Sequence, residues 1–100
     1  MIPKYADIEA PLARELARRG GSARPADCDE SGRSVYMALA DYFSLSSTDL
    51  AEVIYEKGAS RSKWENMVRY AVRTLRKNGV IERGGAHGVW TLTEKAVRGL

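Results

Sequence analysis

Residues 60–78 constrain the fold of this chain more than any other stretch, and they read SRSKWENMVRYAVRTLRKN. Apolar side chains recur along them with the spacing of one helical face, at Trp64, Val68, Ala71, Val72 and Leu75. Met67 and Thr74 lie on the flanks of that face. The spacing therefore predicts an amphipathic helix whose apolar side is buried.

The opposite side of this predicted helix is polar and cationic. It carries Ser62, Asn66, Arg69, Tyr70, Arg73, Arg76 and Lys77. Ser60 or Ser62 is placed to cap the first turn, and Gly79 can adopt the left-handed conformation that ends a helix. Such an outer face suits phosphate groups and base edges.

The chain after Gly79 predicts a β-hairpin. β-Branched and aromatic residues in segments 80–83 and 89–92 flank a glycine-rich turn at 84–88. A helix that leads into a β-hairpin is typical of a winged helix. We therefore expect an α+β, winged helix-turn-helix fold, a helical bundle with a C-terminal β-hairpin wing and a final short helix at 93–100.

The chain before residue 60 predicts three more helices. The first spans roughly 4–19, where Pro11 either kinks the helix or marks the start of its main part. Two further helices, at 34–43 and at 46–56 closed by Gly58, are expected to form the floor under the main helix.

Residues 22–33 contain Pro25, Gly32 and an acidic cluster, with almost no apolar side chain to anchor them. They predict a loop, in which a strand of one or two residues at Ser22–Ala23 joins the hairpin.

The charge distribution favours a nucleic-acid partner. The chain has 100 residues, enough for a single domain at 1–100, and carries a net charge of +3. The segment from Arg61 to Arg83 contains seven cationic and two anionic residues, a net charge of +5. The rest of the chain therefore carries a net charge of −2. A basic patch on a neutral-to-acidic body is the expected pattern for a DNA-binding face.

Other classes of protein are disfavoured by the composition. Cys28 is the only cysteine, which excludes an intramolecular disulfide and a cysteine-based zinc cluster. No apolar run is long enough for a signal peptide or a membrane span, so we expect a cytoplasmic protein that does not associate with a membrane. One histidine and no strand-borne Asp followed by Glu-x-Lys predict a chain with no nuclease activity, catalytic residue, metal or cofactor of its own.

Several motifs together resemble the N-terminal winged-helix domain of Mrr-type restriction endonucleases. They are Trp64-x-Asn66-x-Val68-x-Tyr70-Ala71, Leu75-x-x-x-Gly79-Val80-Ile81, Gly88-Val89-Trp90-x-Leu92-Thr93, and near the start Ile2-Pro3-x-Tyr5 with Pro11-Leu12 and Leu16. The chain has Met67 where that family usually has arginine and Tyr70 where it usually has tryptophan, and residues 23–59 match poorly.

This resemblance implies a DNA-recognition module that precedes a nuclease module, in systems that cut foreign DNA carrying modified bases. The expected partner is double-stranded DNA, methylated or unmodified, together with a linked or partner nuclease domain. Whether the chain acts as a monomer or a homodimer stays open.

Candidate DNA-binding residues follow from the predicted faces. In the major groove, Ser62, Asn66, Arg69 and Arg73 would meet base edges, because Asn pairs bidentately with adenine and Arg with guanine. Phosphate contacts are expected from Arg61, Lys63, Lys77 and Arg83, and Arg83 and His87 bracket the wing. Of the aromatic residues, Trp64 and Trp90 are expected in the core, whereas Tyr70 is the better candidate for a nucleotide contact.

Two alternatives use the same fold differently. A small stand-alone transcriptional repressor would need a dimer to read two half-sites. A winged helix used for protein contact would leave the cations as a solvated face.

Overall fold

The computed structural model describes residues 2–56, 58–83 and 88–99. In chain order the elements are α1 Tyr5–Arg18, β1 Ser22–Ala23, α2 Val35–Tyr42, α3 Ser47–Ala51, β2 Val53–Glu56, β3 Ala59–Ser62, α4 Lys63–Lys77, β4 Trp90–Thr91 and α5 Glu94–Gly99. Helices combined with two small antiparallel sheets confirm the α+β class. Among the described residues, no helix is both long and apolar enough to cross a membrane.

Helix α4 is the predicted main helix, and its apolar side is buried as expected. The buried residues are Trp64, Val68, Ala71, Val72 and Leu75. The Ser62 hydroxyl caps the helix by accepting a hydrogen bond from the Glu65 backbone N–H at 3.2 Å, which satisfies a donor left free by the first turn. At the other end Gly79 has a φ of +77°, the left-handed conformation predicted for it.

The main packing partner of α4 is α1, whereas α2 and α3 make smaller contacts with it. Helices α2 and α3 thus contact α4 as expected, but the larger contact with α1 was not predicted. The buried stripe of α1 consists of Ile8, Leu12 and Leu16, with Pro11 and Ala13 beside it. Helix α1 runs without interruption through Pro11, so the alternative of a main helix starting there is wrong. Burial of the proline ring offsets the intrahelical hydrogen bond that it cannot donate.

The segment between α3 and α4 differs most from the sequence prediction. The helix expected over 46–56 ends at Ala51, and Val53–Glu56 is instead a strand that pairs with Ala59–Ser62. Helix α3 is begun by a capping box between Ser46 and Asp49, as its sequence predicts. Two β-branched residues and a tyrosine then favour extended backbone over helix, which explains the hairpin.

The β2–β3 hairpin also moves the start of α4. Residues 60–62, predicted as its first turn, belong to β3, where Ile54 faces Arg61 and Val53 faces Ser62. Facing residues in an antiparallel pair point to the same side. Arg61 is therefore presented by a strand and not by a helix.

The second sheet confirms the predicted short strand near residue 22. Strand β1 pairs antiparallel with β4, with Ser22 opposite Thr91 and Ala23 opposite Trp90. Pairing between the segments after Gly79 is confirmed at one bridge, Ile81 with Leu92, and is shorter than predicted. The expected turn residues 84–87 lie outside the described residues.

Thr93 fixes α5 to the end of α4. Its hydroxyl donates to the Gly79 carbonyl at 2.7 Å and accepts from the Ala96 backbone N–H at 3.2 Å. The capping role predicted for the start of the last helix is confirmed.

The loop between β1 and α2 is held by charge and not by apolar contacts. Arg19, largely buried, binds Glu15 at 2.6 Å and donates to the carbonyl oxygens of Asp27 and Arg33. Asp29 accepts from the Ser31 hydroxyl at 2.6 Å, the Arg33 backbone N–H at 3.1 Å and the Arg18 guanidinium at 2.6 Å. Those hydrogen bonds hold the pKa of the Asp29 carboxyl well below its usual range.

The Trp64 side chain joins the helices. It is 1% exposed, its Nε1 donates to the Tyr36 carbonyl of α2 at 2.8 Å, and its ring meets the edge of Phe43 at 6.1 Å between centroids. Trp90 is also buried, as predicted for both tryptophans.

We expect Trp64→Ala to lower the free energy of unfolding by about 3 to 5 kcal/mol, because it leaves a cavity and removes the hydrogen bond from the indole to the Tyr36 carbonyl. Urea denaturation measures this. Tyr55→Ala is the control, since Tyr55 is 81% exposed and its loss should cost about 0.5 kcal/mol or less. Equal effects of the two substitutions would contradict the central place given to Trp64.

The Asp29 network predicts a pH dependence. Because the folded-state pKa is lowered, the stability contributed by this carboxylate is complete above its ordinary pKa of 3.8 and is lost as the pH falls below it. The difference in urea midpoint between the wild type and Asp29→Asn should therefore shrink on acidification below that value. Glu30→Gln, which removes an exposed neighbouring carboxylate, should show a much smaller difference. Identical pH profiles for the two variants would argue against the network.

Candidate nucleic-acid interface

Five of the predicted DNA-binding residues lie around one cleft on the outer side of α4. The cleft has a volume of about 240 Å³ and is lined by Arg61, Asn66, Arg69, Tyr70 and Arg73. We call it the Asn66 cleft. It lies opposite the apolar face because residues at i, i+3, i+4 and i+7 of a helix share one side.

Arg61 reaches the Asn66 cleft through the hairpin. Strand β3 ends at Ser62 and α4 begins at Lys63, so the strand delivers Arg61 beside the first turns of the helix. The side chain is exposed and forms no ion pair with a carboxylate that the structure describes. A cation is thus held at the rim without a neutralising partner.

Arg69 is fixed by α2. Its Nε donates to the Tyr36 hydroxyl at 3.2 Å, and its Cζ lies 5.9 Å from the centroid of the same ring. A weaker contact joins Nη2 to Glu65 Oε1 at 3.4 Å. Burial raises the pKa of the Tyr36 hydroxyl, so this group stays protonated at neutral pH and can accept from Arg69. The guanidinium therefore has a defined orientation before any ligand binds.

Arg73 and Tyr70 form a second ordered pair on α4. The Cζ of Arg73 lies 5.4 Å from the centroid of the Tyr70 ring, a cation–π distance, and Tyr70 is 43% exposed. The ring of Tyr5 in α1 lies 6.4 Å from that of Tyr70. Within the described chain Arg73 has no carboxylate partner, so its hydrogen-bond donors are not engaged by an acidic side chain.

Two predicted site residues have structural roles. The hydroxyl of Ser62 is engaged as the helix cap, and Lys63 Nζ lies 3.2 Å from a carboxylate oxygen of Glu52. The exposed ion pair of Lys63 contributes little to stability and can exchange its partner for a phosphate. The Ser62 hydroxyl, which accepts the capping hydrogen bond, can still donate its own hydrogen to a ligand.

The remaining predicted cations lie towards the other end of α4. Lys77 is exposed in the last turn, and Arg83 lies back against the helix end, its Nε donating to the Arg76 carbonyl at 3.4 Å. Predicted residue His87 lies outside the described residues.

A second cleft was not predicted. It lies between α4 and the β1–β4 sheet, has a volume of about 550 Å³, and shares Arg69 and Arg73 with the Asn66 cleft. Arg76 and Tyr36 complete its polar lining. The spacing of Arg69, Arg73 and Arg76 already places three guanidinium groups on adjacent turns, but only the folded chain shows that they face a cavity.

In the described ranges, no group of three or more His, Cys, Asp or Glu side chains could hold a metal ion. Both clefts carry hydrogen-bond donors and positive charge, and the second also has an apolar part formed by Pro25, Val72 and Trp90. Such surfaces suit polyanions with planar or tetrahedral acceptor groups.

A family model described as the Mrr N-terminal domain matches residues 25–100. The match includes α2 to α5 and the β2–β3 hairpin, whereas α1 and β1 lie outside it. The opening residues that resemble the family are therefore not part of the match. Neither a curated protein nor a solved structure matches the chain.

Proposed function

Because this chain belongs to the Mrr N-terminal domain family, we propose that it is a winged helix-turn-helix module that binds duplex DNA in a restriction system. The Asn66 cleft carries the proposal, since it gathers an amide, two guanidinium groups and an exposed tyrosine on the outer side of one rigid helix, with a third guanidinium supplied by strand β3. Rigid elements position base-reading side chains more accurately than loops.

The order of elements supports a winged helix. Shortly after α4 ends, Ile81 forms a β-bridge with Leu92. Strand β4 pairs with β1, and together these pairings give a small sheet beside the end of the helix. In this arrangement α4 is the recognition helix, and the Ile81–Leu92 bridge with the β1–β4 pair forms the base of the wing. The β2–β3 hairpin is an addition between α3 and the recognition helix.

The roles of the side chains follow from their chemistry. The amide of Asn66 suits adenine, and the oriented guanidinium groups of Arg69 and Arg73 suit guanine, in a major groove about 12 Å wide that admits a helix. Tyr70 offers an apolar edge to a base methyl group. Arg61, Lys63, Lys77 and Arg83 supply phosphate contacts around these readers.

Catalysis is assigned to another domain or subunit. The chain supplies recognition, and a linked or partner nuclease would cut DNA that the module has bound. In this account the methylation state of a base alters affinity through contacts near Tyr70.

A second candidate function rests on β2. Val53 and Tyr55 are exposed apolar residues on the side of the hairpin away from Arg61, a pattern that favours contact with protein. The contact would be with a partner chain, or with a second copy as in a dimeric repressor. Sedimentation equilibrium distinguishes these cases, since a stable dimer in solution favours the repressor.

Fluorescence anisotropy with labelled duplexes tests the proposal. Duplexes of one sequence, unmodified, adenine-methylated or cytosine-methylated, are compared at low and near-physiological salt. Tight binding that depends on modification and survives salt supports a reader module. Weak binding that ignores modification and disappears with salt leaves only a general phosphate-binding face and contradicts the reader role.

Arg73→Ala should weaken duplex binding by about 1 to 3 kcal/mol, and selectively for one sequence, because a bidentate contact to guanine would be lost. The matched control is Arg14→Ala, which removes an exposed arginine from α1 in a different cleft. An equal loss on all sequences would reassign Arg73 to phosphate contact. No loss in either variant would favour protein contact over DNA binding.

A further inference from the structure

The second cleft, between α4 and the β1–β4 sheet, has features that base reading does not use. Its volume of about 550 Å³ is more than twice that of the Asn66 cleft. Arg69, Arg73 and Arg76 line one wall, and Tyr36 and Trp90 line the other. We call it the Arg76 cleft.

Positive charge in the Arg76 cleft is only partly neutralised, since Arg69 has an exposed ion pair with Glu65 at 3.4 Å. None of the described residues that line it is acidic. Neither Arg73 nor Arg76 has an ion pair with a described carboxylate, whereas Arg18, Arg19 and Arg33 all bind carboxylates elsewhere in the fold. Three neighbouring guanidinium groups repel one another, and an anion between them would relieve that repulsion.

Arg76 has an unused hydrogen-bond donor. Its Nε is buried and has no hydrogen-bond partner among the residues that the structure describes. A buried donor without an acceptor is unfavourable and uncommon in folded proteins. An anion bound by the guanidinium would supply the missing acceptor after a small rotation of the side chain.

We propose that the Arg76 cleft binds a phosphate group. Guanidinium groups match the oxygen spacing of phosphate and can bind it with paired hydrogen bonds. Gly88 borders the cleft, and the Arg24 guanidinium lies beside it, because a Cβ added at Gly88 would be 3.5 Å from Arg24 Nη1.

If the proposed function holds, on which this step rests, the group is a backbone phosphodiester of the duplex. Arg69 and Arg73 line both clefts, so the phosphate lies next to the bases read in the Asn66 cleft. A phosphate bound at Arg76 would fix the register of α4 along the groove. Arg76 is then a positioning residue and not a base reader.

The first test needs no DNA. Inorganic phosphate is titrated into the ¹⁵N-labelled chain at constant ionic strength, with chloride as the comparison, and the Arg76 Nε–Hε signal is followed by NMR. Arg76→Lys identifies the signal by its loss. A saturable shift with phosphate and not with chloride is expected, and the absence of a saturable shift overturns the proposal.

The second test identifies the source of the phosphate. Arg76→Gln should weaken binding of every duplex roughly tenfold at low salt and reduce the slope of log K against log salt by about 0.9. Arg98→Gln, which removes an exposed arginine from α5, should change neither. Arg76→Lys should recover part of the affinity because it restores the charge.

The outcomes separate this inference from the proposed function. Duplex binding that is unchanged in Arg76→Gln but lost in Arg73→Ala overturns the phosphate site and leaves DNA binding in place. A saturable phosphate shift in a chain that binds no duplex supports the site, overturns its assignment to DNA, and indicates a free phosphate compound. If Arg76→Gln does not fold, the phosphate titration of the wild type still decides whether the cleft binds phosphate.

Discussion

The fold and the candidate site both depend on the burial of one side of α4. Trp64, Val68, Ala71, Val72 and Leu75 are removed from water mainly against α1, and this hydrophobic burial fixes the rotation of the helix about its axis. A helix whose apolar side is fixed must present its opposite side to solvent. The placement of the polar residues around the Asn66 cleft is therefore a consequence of the core. Substitutions that loosen the core should also disturb the outer face.

Tyr36 connects the core to that outer face. Its backbone carbonyl accepts from Trp64, its hydroxyl accepts from Arg69, and its ring meets the edge of Trp90 at 5.9 Å between centroids. A single residue of α2 thus contacts the largest core side chain, a proposed base reader and the β1–β4 sheet. Such connections restrict side-chain motion before binding and reduce the entropy lost when a ligand binds.

Local sequence patterns predicted the elements that local forces determine. Helix α4, its Ser62 cap and the left-handed Gly79 follow from periodicity, capping and turn chemistry, and the structure confirms them. The strand at Ser22–Ala23, also confirmed, was expected from the winged-helix fold and not from a local pattern. Strand β2 was predicted as helix because Leu50, Val53 and Ile54 have helical spacing. In the structure its residues instead form hydrogen bonds with strand β3, and a local pattern does not reveal that pairing. The ion pair of Arg19 with Asp29, and the contribution of Tyr36 and Trp90 to the Arg76 cleft, bring together separate elements, and helical periodicity carries no information about such contacts.

The central claim is that duplex DNA contacts the outer side of α4. The most direct measurement is ¹H–¹⁵N NMR of the labelled chain with increasing amounts of a short duplex. The account predicts shifted amide signals in β3, along α4 and in β4, with little change in α5 or around Cys28. Shifts confined to β2 or to the side of α1 that faces α2, or none at saturating duplex, would contradict it.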